Sequence, residues 1–377
     1  MDADENVKAL FEPDSVAVIG ASSKEGKIGY EIISNVINYG FDGEVYPVNP
    51  SEDEIMGKKC YDSVLDIPGD VDMAIIVVPS KFVLDTVEEC GKKGVKAAPI
   101  ITSGFGEVGK KDLENEIVET ANEYGMRILG PNVFGVAYPP NQLNSTFGPE
   151  EIRDGGIALV SQSGALGIAL MGWTILHKMG MSAIVSIGNK SDLDDQDFLK
   201  YFKDDENTEV VILYIEGIDD GEGFMKAAKK AGKEKPVIAI KAGRSERGAQ
   251  AASSHTGSLA GSDKIYDAAF KQSGILRAKT VGEAFDWAQA FSNMPQPKGD
   301  NTVILTNGGG VGVMATDACE EHGINLYDNQ EELDKFYNHM PDFGSAKNPV
   351  DLTGMATSEE YEGSVRAALN NDEYDSI

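Results

Sequence analysis

Short runs of β-branched and apolar residues recur along the first third of the chain, separated by segments whose apolar residues have helical spacing. The runs are SVAVIG, EVYPVN, MAIIVVP, VKAAPIIT and RILGP. Two of the intervening segments, residues 27–40 and 80–94, end in glycine, which is common after a helix. This alternation is typical of a parallel sheet with crossover helices. It predicts a doubly wound α/β domain over residues 1–131, with ligands at the carboxyl ends of its strands.

The same alternation continues over residues 132–294, which we expect to form a second α/β domain. Its predicted strands are GIALVS, SAIVSIG, EVVILYIEG and KPVIAIKAG, and residues 280–291 form its last predicted helix. The Pro, Gly and Asn cluster at 293–301 is typical of a linker. Beyond it, TVILTNGGGVGVMATDACEEHG again predicts strand, turn and helix. Residues 295–377 have room for only about two strands, so we expect an incomplete third domain.

The amino-acid composition excludes some classes of partner but says little about the reaction. The net charge of −29, from 62 acidic and 33 basic residues, would repel nucleic acid and anionic membranes, so we expect neither as a partner. The three cysteines are an odd number without metal-site spacing, and they favour a reducing cytoplasm. The sequence contains neither a signal-peptide pattern nor a long apolar run, which also favours a cytoplasmic location without a membrane span.

The first predicted strand ends in GASSKEGKIG, residues 20–29, which is a candidate phosphate-binding turn. Glycines between a buried strand and a helix let backbone N–H groups point at a phosphate. Gly20, Gly26 and Gly29 do not have the G-x-G-x-x-G spacing of dinucleotide-binding proteins. Five residues separate Gly20 from Gly26, and Lys27 precedes Ile28 instead of Ser or Thr, so the turn is not a P-loop either. A tight turn without a ligand remains the alternative.

Three further strand ends should lie along the same edge of the sheet. They carry Asn49-Pro50, Pro79 and Ser103-Gly104. Together these ends suggest a crevice for an extended, nucleotide-like ligand. A nicotinamide-dependent oxidoreductase is disfavoured, because the second strand ends in Asn49 and not in the acidic residue that binds a ribose hydroxyl.

The second domain has its own strand, turn and helix in LVSQSGALGIAL. Ser161, Gln162, Ser163 and Gly164 should stand at the amino end of the helix, where an anion is stabilised. The alternative is that a serine here is only a helix cap.

One of the four histidines, His255, lies among small and hydroxylic residues in SSHTGSLAG. These neighbours form no apolar face, and they leave room for a bulky substrate to reach the ring. Glu216 follows the buried strand VVILYI and could accept a proton from one ring nitrogen, which leaves the other nucleophilic. A hydrogen-bonded structural histidine is the alternative. The other three histidines lie in ordinary helical or capping contexts.

These motifs together resemble a known family. GASSKEGKIG, PVNP, TSGFGE, GPNVFG, VSQSGALG, YIEG, SSHTGSLAG and NPVDLTG occur in the order found in the alpha portion of NDP-forming acyl-CoA synthetases. These enzymes are relatives of succinyl-CoA synthetase. The resemblance covers essentially the whole chain, and SSHTGSLAG surrounds the histidine that the family phosphorylates. It implies a Rossmann-like CoA-binding domain followed by flavodoxin-like domains of the succinyl-CoA synthetase type.

The resemblance also implies a reaction and its residues. Phosphate attacks an acyl-CoA thioester, the resulting acyl phosphate phosphorylates a histidine, and the phosphohistidine converts ADP to ATP. His255 would be the nucleophile, Glu216 would orient it, and residues 161–164 would cradle phosphate. The CoA residues implied are Gly20, Ser22, Ser23, Gly26, Lys27, Gly29, Asn49, Pro50, Pro79, Ser103 and Gly104.

Two departures from the family pattern qualify this expectation. Val133 and Phe134 stand where many relatives have Cys and Leu, which could reshape the pocket near the acyl group. The Gly-rich hairpin and Mg²⁺-binding carboxylates of an ATP-grasp domain are not found, so we expect ADP/ATP and Mg²⁺ to act through a separate beta subunit or domain. The other expected partners are a small carboxylic acid, phosphate and CoA, in an oligomer. A non-catalytic CoA-binding regulatory module is the alternative, but it could dispense with His255, Glu216 and VSQSGALG.

Overall fold

The computed structural model describes residues 5–245, 247–248 and 262–377. The chain divides into two compact units, Met1–Met294 and Pro295–Ile377. Each unit is described by itself below.

The first unit opens with a parallel five-stranded sheet, as the alternating pattern predicts. Its strands are β1 (Ser15–Ile19), β2 (Glu44–Val48), β5 (Met73–Ile76), β6 (Ala97–Pro99) and β7 (Arg127–Leu129). They lie in the order β2-β1-β5-β6-β7, and β1 pairs in parallel with both β2 and β5. The order therefore reverses between β1 and β5, which is where doubly wound sheets bind ligands. A short hairpin of β3 (Glu54–Ile55) and β4 (Lys58–Lys59) follows β2.

Helices precede or connect these strands, with their apolar residues turned inward. They are α1 (Glu5–Lys8), α2 (Ile28–Asn38), α3 (Val83–Lys93) and α4 (Lys111–Glu123). In α3 the buried residues Val83, Val87, Cys90 and Gly91 share one face. The helix ends at Gly94, whose φ of +85° and backbone N–H bonds to Cys90 and Gly91 form a left-handed cap. The predicted segments 27–40 and 80–94 are therefore confirmed as helices.

The first unit contains a second sheet of seven strands. Its strands are β8 (Val136–Tyr138), β9 (Leu143–Asn144), β10 (Asp154–Ser161), β11 (Met181–Ser186), β12 (Val210–Ile215), β13 (Val237–Lys241) and β14 (Leu276–Ala278). The order is β14-β13-β12-β10-β11-β8-β9, in which β10 to β14 are parallel. Among these five strands the order is the flavodoxin-like one, with its reversal between β10 and β12. The antiparallel pair β8–β9 extends the sheet beyond β11 and was not predicted.

Helices α5 (Gly164–Leu176), α6 (Asp195–Asp204), α7 (Gly221–Glu234), α8 (Asp263–Ser273) and α9 (Val281–Asn293) accompany this sheet. One hydrophobic cluster contains buried residues of both sheets, among them Val16 and Ile75 of the first and Val160 and Leu213 of the second. Because burial of apolar surface is the main stabilising term in folding, this shared cluster makes the two sheets one packed body.

The second unit is smaller and has little sheet. Strands β15 (Leu305–Thr306) and β16 (Val350–Asp351) pair in parallel, and its helices are α10 (Gly309–His322), α11 (Gln330–Leu333) and α12 (Ser358–Leu369). Val303, Leu333, Phe336 and Val350 are buried in its own hydrophobic cluster. The strand, glycine turn and helix predicted from residue 302 are present, although the strand is only two residues long.

Cys60, Cys90 and Cys319 are free thiols. Within the described part of the chain, every helix is too short or too polar to cross a membrane.

Candidate active site

The predicted CoA residues meet at one edge of the first sheet. Ile19 pairs with Val48 of β2 and with Ile76 of β5, so the turns that follow these three strands emerge side by side. The side chain of Asn49 ties two of them together, because its Nδ2 donates to the carbonyl of Ala21 at 2.8 Å. The structure therefore brings the strand ends together as the sequence predicts.

Two glycines allow the first turn to pack closely. Gly20 has a φ of +93°, and a Cβ there would lie 3.0 Å from the carbonyl of Val77. A Cβ on Gly29, in the first turn of α2, would lie 2.1 Å from the carbonyl oxygen of Gly20. Only glycine fits at either position, so the start of α2 can stand directly against the end of β1.

Backbone N–H groups in this crevice already bind anionic oxygens. Ser23 donates its N–H to Glu52 at 3.2 Å, and Gly26 donates its N–H to Glu31 at 3.1 Å. Gly104 donates its N–H to Glu107. Hydrogen bonds from Ser23 lower the pKa of Glu52, and the positive charges of Lys24 and Lys27 lower it further. Donors that hold carboxylate oxygens here have the chemistry to hold phosphate oxygens.

The other predicted CoA residues line this edge with different exposure. Ser22 is buried, and its hydroxyl accepts the N–H of Lys24 at 3.1 Å, which shapes the turn. Lys27 is exposed and precedes the first residue of α2. The remaining three, Pro50, Pro79 and Ser103, are exposed at their strand ends.

The second candidate site lies where the order of the second sheet reverses. Ser161 ends β10 and pairs with Tyr214 of β12, so the turns after β10 and β12 are neighbours. Ser161 is buried, and its hydroxyl donates to the carbonyl of Ser163 at 2.9 Å. Ser163 caps α5 by accepting the N–H of Leu166 at 3.4 Å. The capping alternative is thus present.

Within the described part of the chain, the helix start at Gly164 is open. Apart from its chain neighbours and the backbone of α5 itself, no described atom lies within 4 Å of the position that a Cβ on Gly164 would take. The first N–H groups of an α-helix lack intrahelical acceptors and carry partial positive charge. Residues 163–164 therefore offer donors to an anion.

The side chain of Gln162, a predicted residue of the phosphate cradle, is hydrogen-bonded to other protein groups. Its side chain is buried, and its Oε1 accepts the N–H groups of Glu216 and Gly217 at 2.5 and 2.9 Å. Its Nε2 donates to the carbonyl of Gly217 at 2.7 Å and to Asp195 at 3.2 Å. The amide is fully engaged by protein groups, so Gln162 holds the turn after β12 in place.

The backbone of Glu216 is held from both sides. Gln162 accepts its N–H, and the ammonium of Lys241 donates to its carbonyl at 2.9 Å. Lys241 is buried and lies 4.4 Å above the ring of Tyr266, whose hydroxyl accepts the N–H of Ile218. Burial lowers the pKa of Lys241. Glu216 is half-buried at this edge, in a turn with several independent anchors.

His255, the predicted nucleophile, lies outside the described residues. Four anchoring residues were not predicted from the sequence: Asp195, Lys241, Tyr266 and Lys190, whose ammonium donates to Asp195 and to the carbonyl of Gly217. Lys190 and Lys241 follow or end buried strands at the edge that carries Glu216, so their positions in SIGNK and IAIKAG were a usable signal.

The two departures from the family pattern are packing positions. Val133 and Phe134 are both buried. The ring of Phe134 lies 2.3 Å from the position of a Cβ on Gly167, one turn into α5, so the helix needs glycine there to admit this larger ring.

Comparison with known proteins agrees with this geometry. Residues 14–139 match a CoA binding domain, residues 154–291 match a succinyl-CoA ligase like flavodoxin domain, and residues 302–377 match a Ligase-CoA domain. The chain is 65% identical to the alpha subunit of acetate–CoA ligase [ADP-forming] I from Pyrococcus furiosus, over 99% of this chain and 82% of that one. The chain belongs to the ADP-forming acyl-CoA ligase family.

Further members of the family agree in sequence and structure. Acetate–CoA ligase [ADP-forming] from Methanocaldococcus jannaschii is 48% identical over 94% of this chain, which spans only 50% of that longer relative. A solved acetyl-coenzyme A synthetase 1 from Ca. Korarchaeum cryptofilum, in complex with phosphate and ADP, matches with a TM-score of 0.95 and 52% identity. That match covers 98% of this chain and 80% of the solved chain. Membership in this ligase family favours the enzyme over the regulatory module.

Proposed function

We propose that this chain is the CoA-binding and phosphohistidine portion of an ADP-forming acyl-CoA ligase that acts on a small carboxylic acid such as acetate. The observation that carries the proposal is the amino end of α5, which is open among the described residues, beside the anchored turn of Glu216, in a chain 65% identical to an acetate–CoA ligase alpha subunit. The proposed overall reaction is reversible: it joins acid, CoA and ATP to give acyl-CoA, ADP and phosphate, and its steps are described below in the opposite direction, from acyl-CoA to ATP.

CoA would lie along the carboxyl edge of the first sheet. The N–H groups of Ser23, Gly26 and Gly104 bind carboxylate oxygens, so they suit the phosphates of CoA. Lys24 and Lys27 would supply positive charge on a strongly acidic chain. Asn49, Pro50, Pro79 and Ser103 would line the rest of the molecule.

Phosphate would bind at the start of α5, between the N–H groups of Ser163 and Gly164. One of its oxygens would attack the thioester carbonyl, so that a C–O bond forms, the C–S bond breaks and CoA leaves as a thiolate that takes up a proton. The helix dipole and N–H donors would stabilise the phosphate charge while it reacts. The products of this step are an acyl phosphate and free CoA.

His255 would then attack the phosphorus of the acyl phosphate. An N–P bond forms, the bond between phosphorus and the acyl oxygen breaks, and the carboxylic acid leaves as its anion. Glu216, held by Gln162 and Lys241, would accept a hydrogen bond from the second ring nitrogen and stabilise the charged ring. Phosphohistidine finally passes its phosphoryl group to ADP.

The last step requires groups beyond those assigned to this chain. We propose that an ATP-grasp beta subunit or domain supplies the nucleotide site, where Mg²⁺ would offset the charge of the nucleotide phosphates. Heteromeric pairing with that portion is the proposed assembly.

Acyl transfer between phosphate and CoA can be tested separately from the phosphorylation of His255. The wild-type chain should form acetyl-CoA from acetyl phosphate and CoA, and His255→Ala should retain this activity because the step breaks no bond at the histidine. Gly164→Val fills the open space at the helix start, so we expect it to abolish the activity. Gly172→Val is the matched control, since Gly172 also has open space but lies two turns further along α5. Absence of acetyl-CoA with the wild-type chain, despite CoA binding, would contradict the proposal.

A further inference from the structure

The loop that follows β11, residues 188–195, lies between the two candidate sites. Its backbone is bound to the end of the first sheet: Asn189 donates its N–H to Pro131 at 2.9 Å, and Leu193 donates its N–H to Ile128 at 3.2 Å. Gly188 has a φ of +52°, and a Cβ there would lie 2.3 Å from the carbonyl oxygen of Pro131. The loop of the second domain is therefore packed directly on the first.

The side chain of Asn189 reaches the turn at the end of β6. Its Nδ2 donates to Glu107 at 2.7 Å and to Glu114 at 2.8 Å. Glu107 accepts the N–H groups of Gly104 and Phe105, and Glu114 accepts the N–H of Gly106 at 2.9 Å. Burial favours protonation of both carboxyls, but hydrogen bonds hold their pKa values below the ordinary range. For Glu107 these bonds come chiefly from Gly104 and Asn189, and for Glu114 the largest lowering effect is that of Lys111, with Asn189 and Gly106 adding to it. One amide thus holds two carboxylates that shape the predicted CoA turn.

The next residue, Lys190, reaches the opposite site. Its ammonium donates to Asp195 at 3.0 Å and to the carbonyl of Gly217 at 2.7 Å. The side chains of Lys190 and Asp195 are 8% and 3% exposed, so this ion pair is buried. Asp195 also accepts from Gln162, which binds the N–H groups of Glu216 and Gly217. Lys190 is thus part of the network that holds the turn carrying Glu216.

We propose that Asn189 and Lys190 are positioning residues for the reaction, one for each site. Asn189 holds the 104–106 turn against CoA, and Lys190 holds the 216–217 turn at the phosphate site. This proposal rests on the proposed function. Because the two residues are adjacent in a loop bound to both sheets, they set the distance between the thioester and the phosphate that must attack it. Correct alignment of reacting groups raises the rate of a reaction by a large factor.

We expect substitutions of the two residues to impair different properties. In Asn189→Ala, Glu107 and Glu114 lose their shared donor and repel each other, so we expect the Kd for CoA, measured by calorimetry, to rise about tenfold or more. Phosphorylation of His255 by acetyl phosphate, followed by intact mass without CoA, should change by less than about twofold. In Lys190→Met the labelling rate should fall about tenfold or more, and the Kd for CoA should stay within about twofold.

If Asn189 and Lys190 only stabilised the fold, each substitution would weaken CoA binding and slow the labelling of His255 together. A change in one property without the other therefore distinguishes a positioning role from a structural one. Lys190→Met leaves Asp195 without its cation; if this variant fails to fold, the double variant Lys190→Met/Asp195→Asn removes the unpaired charge and should show the same split. Asn293→Ala and Lys8→Met are matched controls at exposed sites and should behave as wild type.

Each outcome decides between the two proposals. The split described supports the positioning role. Variants that match wild type, or that lose both properties in equal proportion, overturn the positioning role alone. A wild-type chain that neither binds CoA nor takes phosphate overturns the proposed function and the positioning role with it.

Discussion

Replacement of Gln162 by leucine tests how the turn of Glu216 is held. Leucine keeps much of the volume but neither the donor nor the acceptor, so the N–H groups of Glu216 and Gly217 lose the oxygen that binds them at 2.5 and 2.9 Å. The carbonyl of Gly217 loses one donor but keeps Lys190. A buried donor without a partner costs about 1–3 kcal/mol, so with two such donors the free energy of unfolding should fall by roughly 2–6 kcal/mol.

Two assays separate stability from activity in this variant. Urea unfolding followed by circular dichroism measures the first. The rate of His255 phosphorylation by acetyl phosphate measures the second, without urea and at a temperature where the variant is folded. We expect the labelling rate to fall about tenfold or more, because Glu216 is no longer held toward the site. Gln289→Leu, at an exposed position of α9, is the control and should change neither quantity.

A loss of stability below about 0.5 kcal/mol with normal labelling would refute this reasoning, since it would mean that the amide bonds of Gln162 do not hold the turn. Gln162→Glu adds a second check. It keeps an acceptor for the two N–H groups but places a second carboxyl beside Asp195. Because only the protonated acid can donate as Nε2 does, its labelling rate relative to that of the wild-type chain at the same pH should rise as the pH is lowered.

Three further substitutions test other parts of the account. Ser163→Ala removes the cap of α5 and should lower the free energy of unfolding by about 1 kcal/mol in urea titrations, whereas Ser262→Ala, which removes a serine without a side-chain cap bond, should not. Glu52→Gln removes a carboxylate that competes for the N–H of Ser23, so calorimetry should show tighter CoA binding, with Glu54→Gln unchanged; weaker binding would mean that Glu52 itself contacts CoA. Glu114 has a folded-state pKa below its ordinary value of 4.5, so its contribution to stability is present above that value and is lost as the pH falls through the folded-state pKa. Melting temperatures should therefore fall less steeply from about pH 5 to about pH 3 in Glu114→Gln than in the exposed control Glu119→Gln, and equal slopes would contradict the assignment.

The strands and crossover helices were predictable because their local pattern and their packing agree. SVAVIG and GIALVS are continuous apolar runs that end in turn residues, and each is buried at the centre of a parallel sheet. The pair β8–β9 was missed because VAY and LN are short and have no crossover helix to mark them. Their place in the sheet depends on the pairing of β8 with β11, and the local periodicity of the sequence does not show which strands pair.

The sequence predicted where the candidate site lies, but it did not predict the direction in which each side chain points. The carboxyl ends of the predicted strands located Gly20, Asn49, Ser161 and Glu216 as candidates, because this rule needs only the order of elements along the chain. Gln162 was taken as a phosphate ligand from its composition and position, but the structure turns its amide inward to the backbone of residues 216–217. Whether a polar side chain faces a ligand or a neighbouring turn depends on tertiary contacts that the sequence does not display.

In the proposed relay, His255 of this chain carries a phosphoryl group derived from inorganic phosphate and an acyl-CoA. The most direct measurement incubates the chain with acetyl-CoA, phosphate and Mg²⁺, without nucleotide, and follows intact mass. The account predicts an acid-labile phosphate on the wild-type chain that requires acetyl-CoA and is absent from His255→Ala. A chain that binds CoA but takes up no phosphate, alone and with an ATP-grasp beta chain, would contradict the account and favour a CoA-binding module without the relay.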